Sequence, residues 1–198
     1  MSETDETTGR EWAPGPAEDV REHAPASAEE LADELLRLVA EDNRLTATAQ
    51  RLPAAHLRRS LANCRTENAE ALRAAVGAYG WPTADLVGPD ASTAALMILL
   101  HSDDLPFQLT CRALVTEAVG LGLCSPIHGA YLTDHCAVAL GQPQSYGTKY
   151  TPLGRPYPVL DPEGVDARRL AIGLRTMAAE QQALREMQLR HLTSRASA

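Results

Sequence analysis

Residues 91–101 read Ala-Ser-Thr-Ala-Ala-Leu-Met-Ile-Leu-Leu-His. A helix over this run is apolar nearly all round, so it has to be covered on every side. No stretch of about 18 apolar residues exists anywhere in the chain, so the run is not a membrane span. It predicts a central buried helix with the other elements packed around it. Asp90 or Ser92 can cap its start after the Gly88-Pro89 turn, and His101 stands at its C-terminal end.

Composition points the same way. The 198 residues include 33 alanines and a single phenylalanine, Phe107, so the core has to be built from Leu, Val and Ala. Alanine is the best helix former and a small core residue, which favours closely packed helices over a large β-sandwich. The length suits one domain. The expected fold is mainly α, a compact helical domain over residues 26–192 with a small β-hairpin near the C-terminal third. Residues 1–25 read as a disordered arm and residues 193–198 as a frayed tail. Trp12 is the one large apolar residue of the arm.

The flanking helices follow from their own signals. Ser27-Ala28-Glu29-Glu30 fits a capping box, and Leu31, Leu35, Leu38 and Val39 then share one face until Asn43-Arg44 blurs the end. A second helix is expected from Pro53 and a third over 67–79, ended by Gly80. Further helices are expected over 107–121 and 127–140, and a long one over 166–191. Residues 144–150 and 157–160 read as two strands about a Pro/Gly turn.

Eighteen Lys+Arg against 26 Asp+Glu give a net charge of -8, which argues against nucleic acid and against a polybasic membrane anchor. The basic set is one lysine, Lys149, and 17 arginines, the bias that GC-rich bacterial codon usage produces. Four dispersed cysteines without a C-x-x-C pair, and a polar acidic start without a leader-like apolar stretch, lead us to expect reduced thiols and a cytoplasmic protein.

Three segments can carry chemistry. In His101-Ser102-Asp103-Asp104 a histidine leaves an apolar helix straight into two carboxylates. A carboxylate beside an imidazole raises its pKa and fixes its tautomer, as a general base or a metal ligand needs. The same residues also make ordinary helix-end and turn chemistry. In Tyr131-Leu132-Thr133-Asp134-His135, Tyr131 and Asp134 share a helical face, which leaves His135 peripheral. In Gln144-Ser145-Tyr146-Gly147-Thr148-Lys149, strand alternation puts Gln144, Tyr146 and Thr148 on one face, suited to a polar ligand or simply to solvent. Arg168 and Arg169 open the last helix, where the dipole disfavours a cation, so one of them should meet a carboxylate such as Asp134. Phosphate loops, H-E-x-x-H and G-x-S-x-G are absent from the sequence.

In order, Trp81-Pro82, His101-Ser102-Asp103, Phe107-Gln108, Tyr131-Leu132-Thr133-Asp134, Gln144-Ser145-Tyr146-Gly147-Thr148 and Arg168-Arg169 through Gly173-Leu174 resemble a bacterial family catalogued only as a domain of unknown function. The resemblance spans about residues 66–180. It implies that His101, Asp103, Gln108, Asp134, Gln144 and Tyr146 form one site, and it implies no particular reaction. His135 and Lys149 stand where the family has arginine and glutamine, which suggests a specialised, biosynthetic member.

The resulting expectation is a small enzyme without an organic cofactor, performing hydrolysis, cyclisation, elimination or isomerisation on a polar small molecule. His101 is the acid–base group, Asp103 its orienting partner and Asp134 a second carboxylate; Gln108, Tyr131, Gln144, Tyr146, Thr148 and Arg168 bind substrate. Two alternatives compete with it. One is a divalent-metal site of His101, Asp103 and Asp134. The other is a non-catalytic module that binds a small molecule or a protein. A structural reading of Asp134, ion-paired with an arginine to lock the last helix, stands beside them.

Overall fold

The computed structural model describes residues 27–196. Among them the helices are α1 (Ala28–Arg51), α2 (Ala55–Tyr79), α3 (Ala84–Val87), α4 (Pro89–His101), α5 (Leu105–Gly120), α6 (Pro126–Ala139), α7 (Val165–Ala171) and α8 (Met177–Ala196). The arm with Trp12 lies outside the described residues, as do the last two of the expected tail. The rest of that tail continues α8 to Ala196.

Ser27 caps α1 as its sequence predicts, its Oγ accepting the Glu30 N–H at 3.1 Å. The helix runs past Asn43-Arg44 to Arg51, because Arg44 pairs along the surface with Glu41 and interrupts nothing. The two helices expected between Pro53 and Tyr79 are one. No glycine or proline stands between Ala55 and Val76 to break it, and Gly80, with φ +75°, ends it.

The apolar run 91–101 occupies the centre. Its helix α4 contacts α1, α2, α3 and α6, and Ala91, Ala94, Ala95, Leu96, Ile98 and Leu99 are buried. Leu31, Leu35, Leu72, Trp81, Phe107, Cys111, Val115 and Leu132 complete the same core. Small alanines on α4 let its neighbours approach closely, so the chain fills its interior with a single phenylalanine. No helix among the described residues is long and apolar enough to cross a membrane.

The expected β-hairpin does not form. Residues 144–160 make only two isolated bridges, Gln144 with Val159 and Tyr150 with Pro156. The N–H groups that a ladder would use are taken by a side chain instead. The Asp134 carboxylate of α6 accepts the backbone N–H of Ser145 (2.7 Å), Tyr146 (3.1 Å) and Thr148 (2.9 Å), and the Thr148 hydroxyl at 2.9 Å. Once satisfied by a carboxylate, these donors have no need of a partner strand.

The expected long C-terminal helix is split into α7 and α8 at Gly173, whose φ of +84° closes α7. The split serves Arg169, a fully buried guanidinium that donates to the Arg175 carbonyl across the break and to the Tyr146 carbonyl at 2.7 Å. Gly147 crosses this loop at φ +65°, and a Cβ built there would lie 2.6 Å from Met177 Sδ. The methionine end can yield, so the cost of Gly147→Ala comes chiefly from the left-handed backbone, about 1–2 kcal/mol. Urea unfolding should show a lower midpoint of that size with an unchanged slope; an unchanged midpoint would mean the loop does not need the glycine.

Candidate functional site

The α1 stripe Leu31, Leu35, Leu38 continues by one more turn to a carboxylate, Asp42, also buried. Its Oδ2 meets His101 Nδ1 at 2.6 Å. Its Oδ1 accepts from Thr46 Oγ1 at 3.0 Å and from Arg65 Nε and Nη2, each at 3.3 Å. Burial pushes the Asp42 carboxyl up, but the hydrogen bonds from His101 and Thr46 and the charges of His101 and Arg65 outweigh it. The net effect holds Asp42 below the ordinary carboxylate range.

An ionised carboxylate only accepts, so it places the imidazole proton on Nδ1 and leaves the Nε2 lone pair on the opposite ring edge. The Asp42 side chain is 4% exposed and that of His101 36%, so the acid is sealed behind the ring and the ring faces outward.

It faces a cleft of about 660 Å³. One wall is a face of α2 bearing Arg58, Arg65, Glu70 and Arg73; the other is the His101–Pro106 bend with Asp103 and Asp104. Arg73 Nη2 pairs with Asp104 Oδ2 at 2.6 Å and lies 4.6 Å over the Phe107 ring. Asp104 Oδ1 caps α5 by accepting the Phe107 N–H at 2.8 Å. Gln108, buried, donates its amide to the Leu99 and Ser102 carbonyls at 3.1 and 2.6 Å. It therefore ties the carbonyls on either side of His101 to α5 and fixes the bend that carries the imidazole.

The residues singled out from the sequence thus separate. His101 and Asp103 line the cleft. The orienting acid is Asp42, not Asp103, because a buried carboxylate 59 positions away reaches the ring first. Gln108 spends its amide on backbone and Gln144 does the same, donating to Lys149 and Tyr157 carbonyls and accepting the Lys149 N–H. Asp134 is wholly buried and holds the 145–148 loop. Thr148 is its donor, and the Tyr146 backbone is held between Asp134 and Arg169. Arg168 holds the same loop through the Ser145 carbonyl and pairs with Asp161. Tyr131 lies among Glu180, Arg169 and Arg175, where burial pushes its phenol up. The proposed metal trio does not converge, and no group of three or more His, Cys, Asp or Glu among the described residues could hold a metal ion.

Residues 29–188 match the model of a family of unknown function. The chain belongs to the DUF6624 family. No curated protein and no solved structure matches it.

Thiol chemistry has no foothold in this DUF6624 chain. Burial pushes Cys111 up to about 12 and raises Cys64, Cys124 and Cys136 as well. Cys124 Sγ sits 3.5 Å from His128 Nδ1, but burial lowers His128, so both stay neutral and the pair is a core contact.

A second imidazole, His135, meets Lys149 Nζ at 3.0 Å. Burial, then the Lys149 charge and then that of His101, lower it to about 4. A histidine depressed in the folded state binds fewer protons than the unfolded chain between about pH 6.5 and 4, so stability falls as pH drops through that window. Lys149→Gln removes one of the three causes. The His135 ring-proton NMR titration should then move up from about 4 towards 6.5, and the acid-side stability loss should shrink. An unmoved midpoint would show that the ammonium does not act on this ring.

Proposed function

We propose that the cleft is the active site of an enzyme that performs acid–base chemistry on a polar small molecule. His101 is the proton-transferring group and Asp42 its orienting residue. The observation that carries this reading is the 2.6 Å bond between His101 Nδ1 and a buried carboxylate, on a histidine that lines a cleft of about 660 Å³. A buried acid fixing one tautomer of an accessible imidazole is what general acid–base catalysis requires near neutral pH.

Arg65 donates to the other carboxylate oxygen of Asp42 and so helps to fix the direction of Oδ2 toward the ring. Gln108 holds the bend, so the ring has a defined direction into the cleft. Hydrolysis, cyclisation, elimination and isomerisation all run on placed proton transfers, and none needs an electron carrier. The Asp134 loop does not line the cleft, and its role is structural.

The test is a turnover screen of polar metabolites by mass spectrometry, with wild-type protein and His101→Gln compared at equal folded concentration. A compound consumed by the wild type and spared by the variant supports the reading. Equal turnover by both overturns it, as does a compound bound by both and consumed by neither, which would make the cleft a binding module.

A further inference from the structure

Charge is laid out along the cleft in an order that selects a substrate. Each of the two inner arginines is matched by an acid: Arg65 by Asp42 and Arg73 by Asp104. Three charged groups on the cleft walls are left. Arg58 donates to the Pro53 carbonyl at 3.2 Å and meets no carboxylate, and Glu70 and Asp103 meet no cation among the described residues.

Their places along the trough follow from the helix. Arg65 contacts Asp42, and Asp42 contacts His101, so the imidazole stands at the level of Arg65. Arg58 lies seven residues back along α2, about 10 Å at 1.5 Å per residue. Glu70 lies five residues forward, about 7.5 Å. The bend runs the same way, because Asp104, three residues after His101, reaches Arg73. Asp103 therefore lies on the Glu70 side of the ring.

The cleft is thus cationic at one end and anionic at the other, with the imidazole between. We infer that its substrate is an elongated zwitterion, with a carboxylate held by Arg58, an ammonium held by Glu70 and Asp103, and the reacting centre beside His101. This rests on the acid–base reading of the site and narrows it. Net charge alone would not attract such a molecule, since the three groups sum to about −1. Recognition is by the separation of opposite charges, which rejects simple anions and simple amines alike.

Pentaglycine is a suitable ruler: five extended residues span at most about 18 Å, enough to bridge the two ends, and its N-acetyl and C-terminal amide forms each remove one end charge. Binding to the full chain is read by amide chemical-shift titration at low salt. Pentaglycine should bind about tenfold more tightly than either blocked form, the scale of a charge-assisted hydrogen bond. Arg58→Gln should lower pentaglycine affinity to that of the amide and leave the amide unaffected. Asp103→Asn with Glu70→Gln should do the same for the N-acetyl form. All these positions are at the surface, so the variants fold, and a cycle of variant against ligand isolates each end.

Equal affinity for all three ligands, no binding of any, or an Arg58→Gln loss common to all would overturn the inference. Failure of the ruler with His101-dependent turnover intact would sink the substrate class alone. Selective binding without any turnover would sink the catalytic reading alone.

Discussion

Asp134→Asn is expected to destabilise the protein by about 3–5 kcal/mol, because several buried backbone N–H groups that share its carboxylate lose a charged acceptor, at about 1–3 kcal/mol each. The carboxylate is wholly buried and takes three backbone N–H groups and a hydroxyl from one loop. The carbonyls of the same loop are held from the opposite side by Arg169, itself 1% exposed. The loop is clamped between a buried anion on α6 and a buried cation on α7, each polarising the peptide groups between them. Asparagine keeps one acceptor and turns an NH2 towards N–H donors. The urea midpoint should fall by that amount at pH 7, and the melting temperature by roughly 10 °C for a chain of this length. Hydrogen exchange at residues 145–148 should speed up first. A midpoint within error of the wild type would show that the carboxylate does not hold the loop.

This clamp also explains why the alternation of Gln144, Tyr146 and Thr148 misleads. Period-two patterning is a statement about side chains, and it presumes that the backbone donors are free to pair. Here a side chain distant in sequence captures them, so the segment is a loop with strand-like residues. Its polar residues build the clamp. An arginine near Asp134 is legible from the dipole argument, but it works through the loop carbonyls and not by direct contact.

The helical architecture was the more legible part. A run apolar on all faces can only be central, and the Ser27 cap and the Gly80 stop act where their chemistry says they should. His101 was legible as a candidate, since an apolar helix hands its imidazole straight to an acidic bend; the structure adds that it lines a cleft. Its partner was not. Asp42 continues the 31, 35, 38 stripe, and a charge on an apolar stripe is a signal, but Asn43 and Arg44 placed the helix end there and hid it. The neighbouring Asp103 and Asp104 then offered a nearer explanation. Proximity along the chain favoured them; in space, one lines the cleft wall and the other caps α5. The arginine wall of α2 was missed for a related reason. Arg58, Arg65 and Arg73 align only on one unbroken helix, and two helices had been expected there.

Replacement of Asp42 by asparagine should reduce turnover by about 10²–10⁴-fold, the upper figure applying when the imidazole settles into the wrong tautomer. Asparagine can accept at Nδ1 or donate to it. Its NH2 favours the ring form with the proton on Nε2, where the lone pair is needed. His101→Gln removes the transferring group and should cost about 10²-fold or more. The two losses act through one unit, so the double variant should be scarcely worse than the single ones. Substrate binding should change little in either variant, because Asp42 is sealed behind the ring, so kcat falls and KM holds. Losses that multiply in the double variant would make the two residues independent contributors. A fall in KM affinity with kcat intact would move Asp42 from orienting the imidazole to shaping the cleft.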